Sequence, residues 1–74
     1  MATKGTVFRH QRLLDPSFTP GPGERYADAP KAVCRVTATR GGLVYYAIGA
    51  DATKGRFYVD EPSFWINVCG EVLA

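Results

Sequence analysis

The side chains best suited to nucleophilic or metal chemistry in this sequence are one imidazole and two thiols. His10 is the only histidine of the 74-residue chain, and Cys34 and Cys69 are its only cysteines. A catalytic thiol needs an imidazole within hydrogen-bond reach, but both cysteines stand in apolar, strand-like stretches, and no group of His, Cys and acidic residues has zinc-ligand spacing. We therefore expect two reduced, inert core thiols; a disulfide, a reactive thiol and a metal ligand are the less favoured alternatives.

Three short polar motifs resemble functional signatures but have simpler explanations. Asp60 and Glu61 are adjacent acids, yet neighbours on an extended chain point to opposite sides, so a turn that ends a strand is favoured over a carboxylate dyad. The segment 21–24 (Gly-Pro-Gly-Glu) lacks the Gly-Lys-Ser/Thr ending of a phosphate loop. The segment 40–42 (Arg-Gly-Gly) occurs once, between two apolar stretches, as a hairpin turn does. The sequence therefore predicts a protein that is not an enzyme and uses no cofactor or metal.

The elements that position these residues are short strands. Hydrophobic residues make up 46% and charged residues 22% of the chain, a balance typical of a folded domain. Apolar and polar residues alternate in several segments, and no stretch keeps a helical period over three turns. We predict one all-β domain over residues 1–74, with a single helical turn at 63–66 capped by Ser63 and strands at residues 5–9, 32–39, 43–48, 56–60 and 67–73.

The turn between the two central strands decides which side chains face the core. A three-residue loop at 40–42 pairs Thr39 with Leu43 and puts the branched apolar residues of both strands on one face. A two-residue loop would instead place Val44 beside polar positions such as Arg35. We take the three-residue loop, since a glycine can supply its left-handed residue. It predicts an inward-facing set that comprises Cys34, Val36, Ala38, Val44, Tyr46, Ile48, Phe57 and Val59.

The same register predicts an outer face that carries Arg35, Tyr45, Arg56 and Tyr58. Arginine and tyrosine are enriched at the hot spots of protein interfaces, so we predict that this face binds a protein partner. Aromatic and cationic side chains also suit single-stranded bases, which makes nucleic-acid binding the alternative function. Ordinary cross-strand pairing on a solvated sheet would explain the same residues without any function.

A long loop at residues 10–31 separates the first two predicted strands. Its prolines and glycines interrupt regular structure. Loops of this length in small domains are often functional, so Phe18 and Tyr26 form a second candidate binding site; an excursion without function is the alternative. Closer to the C-terminus, we expect Trp65 to close one end of the core or else to mark a contact surface.

The order of elements resembles that of an SH3-like barrel, with one strand, a long loop, a three-strand meander, a helical turn and a closing strand. The residues that carry the resemblance are 5–8 (Gly-Thr-Val-Phe), 33–48, 56–59 and 62–66. It implies a small five-stranded barrel or a strongly bent antiparallel sheet. Proline-peptide binding is not transferred, because no Ala-Leu-Tyr-Asp-Tyr stretch precedes the loop and no paired tryptophans follow it. In size and in its Ala/Gly/Val-rich, arginine-over-lysine composition the chain also resembles small orphan accessory proteins of actinobacteria and their phages.

The net charge and the hydropathy of the sequence limit the kinds of partner and the cellular compartment that we expect. The net charge of +2 is too small to predict a nucleic-acid partner by itself. No apolar run near the N-terminus has the length of a secretory signal, and no stretch of about 18 apolar residues predicts a membrane helix. We expect a cytoplasmic interaction module that does not enter a membrane; the identity of the partner and the oligomeric state stay open.

Overall fold

A single antiparallel sheet of five strands organises the chain. The structure is a computed structural model that describes residues 2–74. Its strands lie in the order β4-β3-β2-β1-β5, and every neighbouring pair is antiparallel. The prediction of an all-β fold with five strands is confirmed, although the starts of the first, fourth and fifth strands each lie two residues from their predicted positions. The strands are β1 (Val7–Leu14), β2 (Lys31–Arg40), β3 (Leu43–Ile48), β4 (Lys54–Asp60) and β5 (Cys69–Val72).

The sheet is open rather than closed. β4 and β5 are the two ends of the strand order and do not pair within residues 2–74, so the barrel form of the prediction is not confirmed. The chain termini extend the pairing of the inner strands instead. The Gly5 N–H donates to the Val36 carbonyl at 2.8 Å, and the Leu73 N–H donates to the Val7 carbonyl at 2.7 Å.

The hairpin between β2 and β3 has a two-residue turn, so the predicted three-residue loop is wrong. Arg40 pairs directly with Leu43. Gly41 and Gly42 have φ angles of +57° and +78°, the pair of left-handed conformations that a type I′ turn requires. Two successive glycines adopt these angles without steric cost, and the twist of this turn matches that of the flanking strands.

A bulge at Thr37 compensates for the shorter turn. Val36 pairs with Tyr46, and Ala38 pairs with Tyr45, so Thr37 is an additional residue of β2. An additional residue reverses the alternation of side chains along the strand. The predicted inward direction therefore holds for Val36 and Tyr46 but fails for Ala38, which shares the outer face with Tyr45.

β1 is longer than predicted, and the loop after it is correspondingly shorter. The predicted loop at 10–31 loses its first five residues to β1 and its last residue to β2, which leaves a connection at residues 15–30. Leu14 still pairs with Lys31, but the pairing between Arg9 and Leu14 is irregular. That irregularity removes the alternation of apolar and polar residues from which a strand is predicted.

A helical segment connects β4 to β5. It begins with α1 (Glu61–Ser63) and continues as a wider π-helical turn (Phe64–Val68). Asp60, rather than the predicted Ser63, caps its start, because the Asp60 carboxylate accepts a hydrogen bond from the Ser63 N–H at 3.2 Å. The helical turn predicted at 63–66 is thus the middle of a longer segment.

The core lies between this helical segment and one face of the sheet. Phe8 and Phe64 are fully buried, with ring centroids 4.9 Å apart and planes at 75°, the edge-to-face geometry that aromatic pairs prefer. Trp65 is 39% exposed, so the prediction that it closes the core is wrong, and Phe64 takes that place. The buried residues around this pair are Ala2, Ala32, Cys34, Val36, Val44, Tyr46 and Val68.

The predicted inward-facing residues are buried to different degrees. Val36 and Tyr46 are buried, as predicted. Ile48 and Val59 are half-buried and pack against the core. Phe57 is 36% exposed, and its ring stacks on that of Tyr46 with 5.2 Å between centroids. Burial decreases toward β4 because this strand is an edge of the sheet and has a strand neighbour on one side only.

Candidate interaction surface

The register of β2, β3 and β4 places arginine and tyrosine side chains on the sheet face away from the core. Tyr45 lies directly opposite Tyr58, and Arg35 lies opposite Ala47. Residues that pair directly share a face, and their neighbours along the strand point the other way. The rings of Tyr45 and Tyr58 are 5.8 Å apart with an interplanar angle of 36°. We call this surface the outer face; its residues are Arg35, Ala38, Arg40, Tyr45, Ala47, Arg56 and Tyr58.

A groove with a volume of about 410 Å³ is lined by residues of the outer face together with Thr37, Tyr46 and Phe57. The smallest residues that line it are Ala38, Ala47 and Ala52, and we call these three the alanine floor. Their short side chains leave the space open. Ala38 follows the bulge at Thr37, and Ala52 has a left-handed φ of +57° in the turn after β3. Two backbone irregularities therefore shape the groove.

Arginines on β2 and β4 provide the charge of the groove. The Arg40 guanidinium carbon lies 5.9 Å from the centre of the Tyr45 ring, within the range of a cation–π interaction, and Arg56 lines the groove from β4. The sequence predicts Arg56 as a site residue but not Arg40, because a three-residue loop assigns Arg40 to the turn. The consecutive glycines at 41–42 are the signal for a two-residue turn, which places Arg40 in β2 beside Tyr45.

No acidic side chain is among the described residues that line the groove. Three carboxylates lie near residues of the groove, and each accepts a hydrogen bond from another group. Glu61, which lines a second cavity together with Arg40, accepts from the Ala2 N–H at 3.1 Å. Asp51, next to the alanine floor, accepts a hydrogen bond from the Thr53 hydroxyl at 3.0 Å. Asp60, at the end of β4, accepts from Ser63, and these hydrogen bonds hold the pKa of Asp60 below its usual value. None of these three carboxylates lines the groove beside Arg40 and Arg56.

The remaining predicted site residues lie outside the groove. Tyr58 is 70% exposed, and Arg35 is exposed on the outer face without lining the groove. The connection at 15–30 leaves the sheet at the end of β2 that is far from the hairpin turn. In it, Tyr26 is 72% exposed and Phe18 is half-buried. The structure therefore brings the four predicted outer residues to one face, and the two predicted loop residues are not part of it.

His10 has a structural role in β1. The ladder between β1 and β5 places it opposite Cys69, but its Nδ1 atom already accepts hydrogen bonds from two backbone N–H groups, those of Arg12 at 3.0 Å and Leu13 at 2.8 Å. Burial, with a smaller contribution from neighbouring basic side chains, lowers the pKa of His10. The neutral ring therefore satisfies two amides where the strand pairing is irregular, and its Nδ1 atom is not free to accept a proton from a thiol.

Cys34 and Cys69 are both free thiols. Burial raises the pKa of Cys34 to about 11 and also raises that of Cys69, so neither forms the nucleophilic thiolate readily. β1 lies between the strands that carry them, which separates them by two strand spacings, roughly 10 Å. A disulfide needs Cα atoms within about 7 Å. The strand order therefore favours the predicted pair of reduced thiols.

Comparisons of the chain with protein-family models, with known proteins and with solved structures find no match. Within residues 2–74, no group of three or more His, Cys, Asp or Glu side chains is placed so that it could hold a metal ion. None of the helical segments in the described part of the chain has the length and apolar character needed to cross a bilayer. The functional argument therefore rests on the geometry of the outer face.

Proposed function

We propose that this chain is a non-enzymatic interaction module that binds a protein partner through its outer face. The observation that carries the proposal is the groove, where Arg40 and Arg56 accompany Tyr45 above the alanine floor and no acidic residue is among those that line the space. Arginine and tyrosine often dominate the binding free energy of protein interfaces. A concave site that is already formed also loses little conformational freedom on binding.

Tyr58 extends this site beyond the groove. Its side chain is 70% exposed, yet its ring lies against that of Tyr45. A large ring with few rotatable bonds adds contact area at low entropic cost, and the contact with Tyr45 limits its movement further. Arg35, opposite Ala47 on the same face, adds a positive charge at the edge of the surface.

Three expectations from the sequence accompany the proposal. They are a cytoplasmic location, an order of elements similar to that of SH3-like barrels, and a likeness to small accessory proteins of actinobacteria and their phages. Each of these agrees with an interaction role. The groove, and not the resemblance, supports the binding of a protein.

The exposed ring of Tyr58 favours a second candidate function, the binding of single-stranded nucleic acid. Bases stack on exposed aromatic rings while neighbouring cationic side chains contact the phosphates, and Arg56 lies two residues before Tyr58 on β4. Such binding weakens steeply with salt, with a log–log slope of about −0.7 per phosphate contact for single strands. A protein interface that depends on a few hot spots should respond far less to salt.

Affinity capture tests the proposal and separates the two candidates. The immobilised protein, the double variant Arg56→Ala/Tyr58→Ala and the control Lys4→Ala, an exposed residue outside the groove, are each exposed to lysate of the source organism with and without nuclease. We expect a protein that the parent and the control retain, that the double variant loses, and that nuclease does not release. Retention that requires intact nucleic acid would favour the second candidate, and equal retention by all three proteins would contradict both.

A further inference from the structure

We infer that the groove receives an acidic segment of the partner protein, in which carboxylates flank an apolar side chain. The carboxylates bind Arg40 and Arg56, and the apolar side chain lies on the alanine floor. The inference rests on the proposed function and adds to it the chemistry of the bound segment.

The charge of the groove supports an acidic ligand. Arg40 and Arg56 line it, and both are exposed. The guanidinium of Arg9 is used internally, since it donates to the Lys31 carbonyl at 3.1 Å. None of the side-chain hydrogen bonds within residues 2–74 has Arg40 or Arg56 as its donor. A guanidinium presents a planar fork of donors that matches a carboxylate in two parallel hydrogen bonds, and a partner carboxylate would complete it.

The shape of the groove supports an apolar side chain between the two charges. The alanine floor offers methyl groups, whereas Thr37 and Tyr46, which also line the groove, carry hydroxyl groups. The part of the groove that the alanines line suits an apolar rather than a polar group. A volume of about 410 Å³ lies toward the lower end of the roughly 300–1,000 Å³ that ligand pockets occupy. Such a space fits a few side chains of an extended segment and not a whole helix.

The packing of Tyr45 favours a protein segment over nucleic acid in this groove. Its ring lies next to the Arg40 guanidinium and next to the ring of Tyr58. Both neighbours restrict the stacking of a base on Tyr45, which is the contact that gives single-stranded nucleic acid much of its affinity. The net charge of +2 is also small for a protein that holds a chain of phosphates.

An NMR titration of the full chain with short peptides tests this inference. The probe is acetyl-Glu-Glu-Leu-Glu-Glu-amide. Its neutral counterpart contains Gln in place of Glu, a third peptide contains Gly in place of Leu, and an oligothymidylate represents nucleic acid. We expect the acidic peptide to cause saturable shifts of the amide signals of Ala38, Ala47 and Ala52, and the neutral and Gly-containing peptides to bind at least about tenfold more weakly, the factor that corresponds to one lost interaction of moderate strength.

Two charge variants complete the experiment. Arg40→Gln/Arg56→Gln should bind the acidic peptide at least about tenfold more weakly, and Lys4→Gln should bind like the parent. Because the groove arginines are exposed, the amide spectrum of the double variant should retain the dispersion of the folded protein. Shifts away from the groove, equal affinity for the neutral peptide, an equal loss in Lys4→Gln, or no saturable shift up to about 10 mM peptide would overturn the inference.

The titration with oligothymidylate and the dependence of the captured partner on Arg56 and Tyr58 distinguish the remaining outcomes. Stronger binding of the oligothymidylate than of the acidic peptide at the same amides would replace the acidic segment by single-stranded nucleic acid. A failed peptide titration together with a captured partner that still requires Arg56 and Tyr58 would reject only the acidic segment. A partner that is indifferent to both residues would reject the proposed function itself.

Discussion

The replacement of His10 by Phe should destabilise the protein in a way that depends on pH. Phenylalanine keeps a ring at this buried position but cannot accept the hydrogen bonds that Nδ1 receives from the N–H groups of Arg12 and Leu13 at 3.0 and 2.8 Å. Each such bond contributes about 0.5–1.5 kcal/mol net, so we expect a loss of about 1–3 kcal/mol. That is a large share of the roughly 3–5 kcal/mol available to a domain of this size.

The pH dependence has a definite sign. Burial, followed by the charges of Lys31 and Arg12, lowers the pKa of His10 in the folded protein below its ordinary value of 6.5. As the pH falls through about 6.5, the unfolded chain therefore binds a proton before the folded chain does, and the free energy of unfolding decreases. Protonation also turns Nδ1 into a donor that faces two N–H donors. The stabilisation by His10 is thus complete above about pH 6.5 and is lost as the pH falls through the lowered pKa.

Urea denaturation at about pH 7.5 and about pH 5, followed by far-UV circular dichroism, measures both effects. The difference in the free energy of unfolding between the parent and His10→Phe should be largest at the higher pH and should shrink at the lower one. Gln11→Ala, an exposed neighbour on β1, is the control and should change neither value. A His10→Phe variant that is as stable as the parent, or that keeps the parent's full pH dependence, would refute the argument.

Three further predictions concern the core, the turn and the thiols. Phe64→Ala should cost about 3–5 kcal/mol in the free energy of unfolding, because Phe64 is fully buried. This is comparable to the whole stability of such a domain, so far-UV circular dichroism should show a largely unfolded variant even without urea; a variant as stable as the parent would contradict the place of Phe64 in the core. Gly41→Asn should leave the melting temperature nearly unchanged and Gly41→Val should lower it, since φ is +57° and a branched residue tolerates that angle poorly. Intact mass should show two free thiols, and a thiol reagent should modify half-buried Cys69 before buried Cys34; the opposite order would be inconsistent with this burial.

The sequence predicts the central strands best because their alternation is regular. The predicted strand at 43–48 coincides with β3, and the predicted strand at 32–39 lies one residue inside β2 at each end. β1 is predicted poorly because the imidazole of His10, and not a neighbouring strand, accepts hydrogen bonds from two of its amides. A side chain that bonds to the backbone two and three residues later leaves no periodic signal in the sequence.

The hairpin of the structure differs from the predicted one at two places, and the two differences compensate each other in their effect on which side chains face the core. The turn is one residue shorter than predicted, and the bulge at Thr37 adds one residue to β2. The consecutive glycines could have indicated the turn, whereas the bulge carries neither a glycine nor a proline. Therefore only the residues of β2 between the bulge and the turn, such as Ala38, lie on the face opposite to the predicted one.

The outer face was predictable in part. Arg35, Tyr45, Arg56 and Tyr58 follow from alternation along strands, and the register places them on one face. The groove was not predictable, because its shape depends on the bulge in β2 and on the left-handed conformation of Ala52. A non-glycine residue rarely adopts that conformation, and the sequence contains no indication of it.

The affinity of the purified captured partner for the Arg56→Ala/Tyr58→Ala variant tests the central claim most directly. Both side chains are exposed, so the melting temperature of the variant should remain close to that of the parent. Isothermal titration calorimetry should show binding that is weaker by at least about 2 kcal/mol, the usual threshold of a hot spot and roughly a thirtyfold change in Kd. A variant that melts like the parent and binds the partner with the same Kd would contradict the claim that the outer face is the binding site.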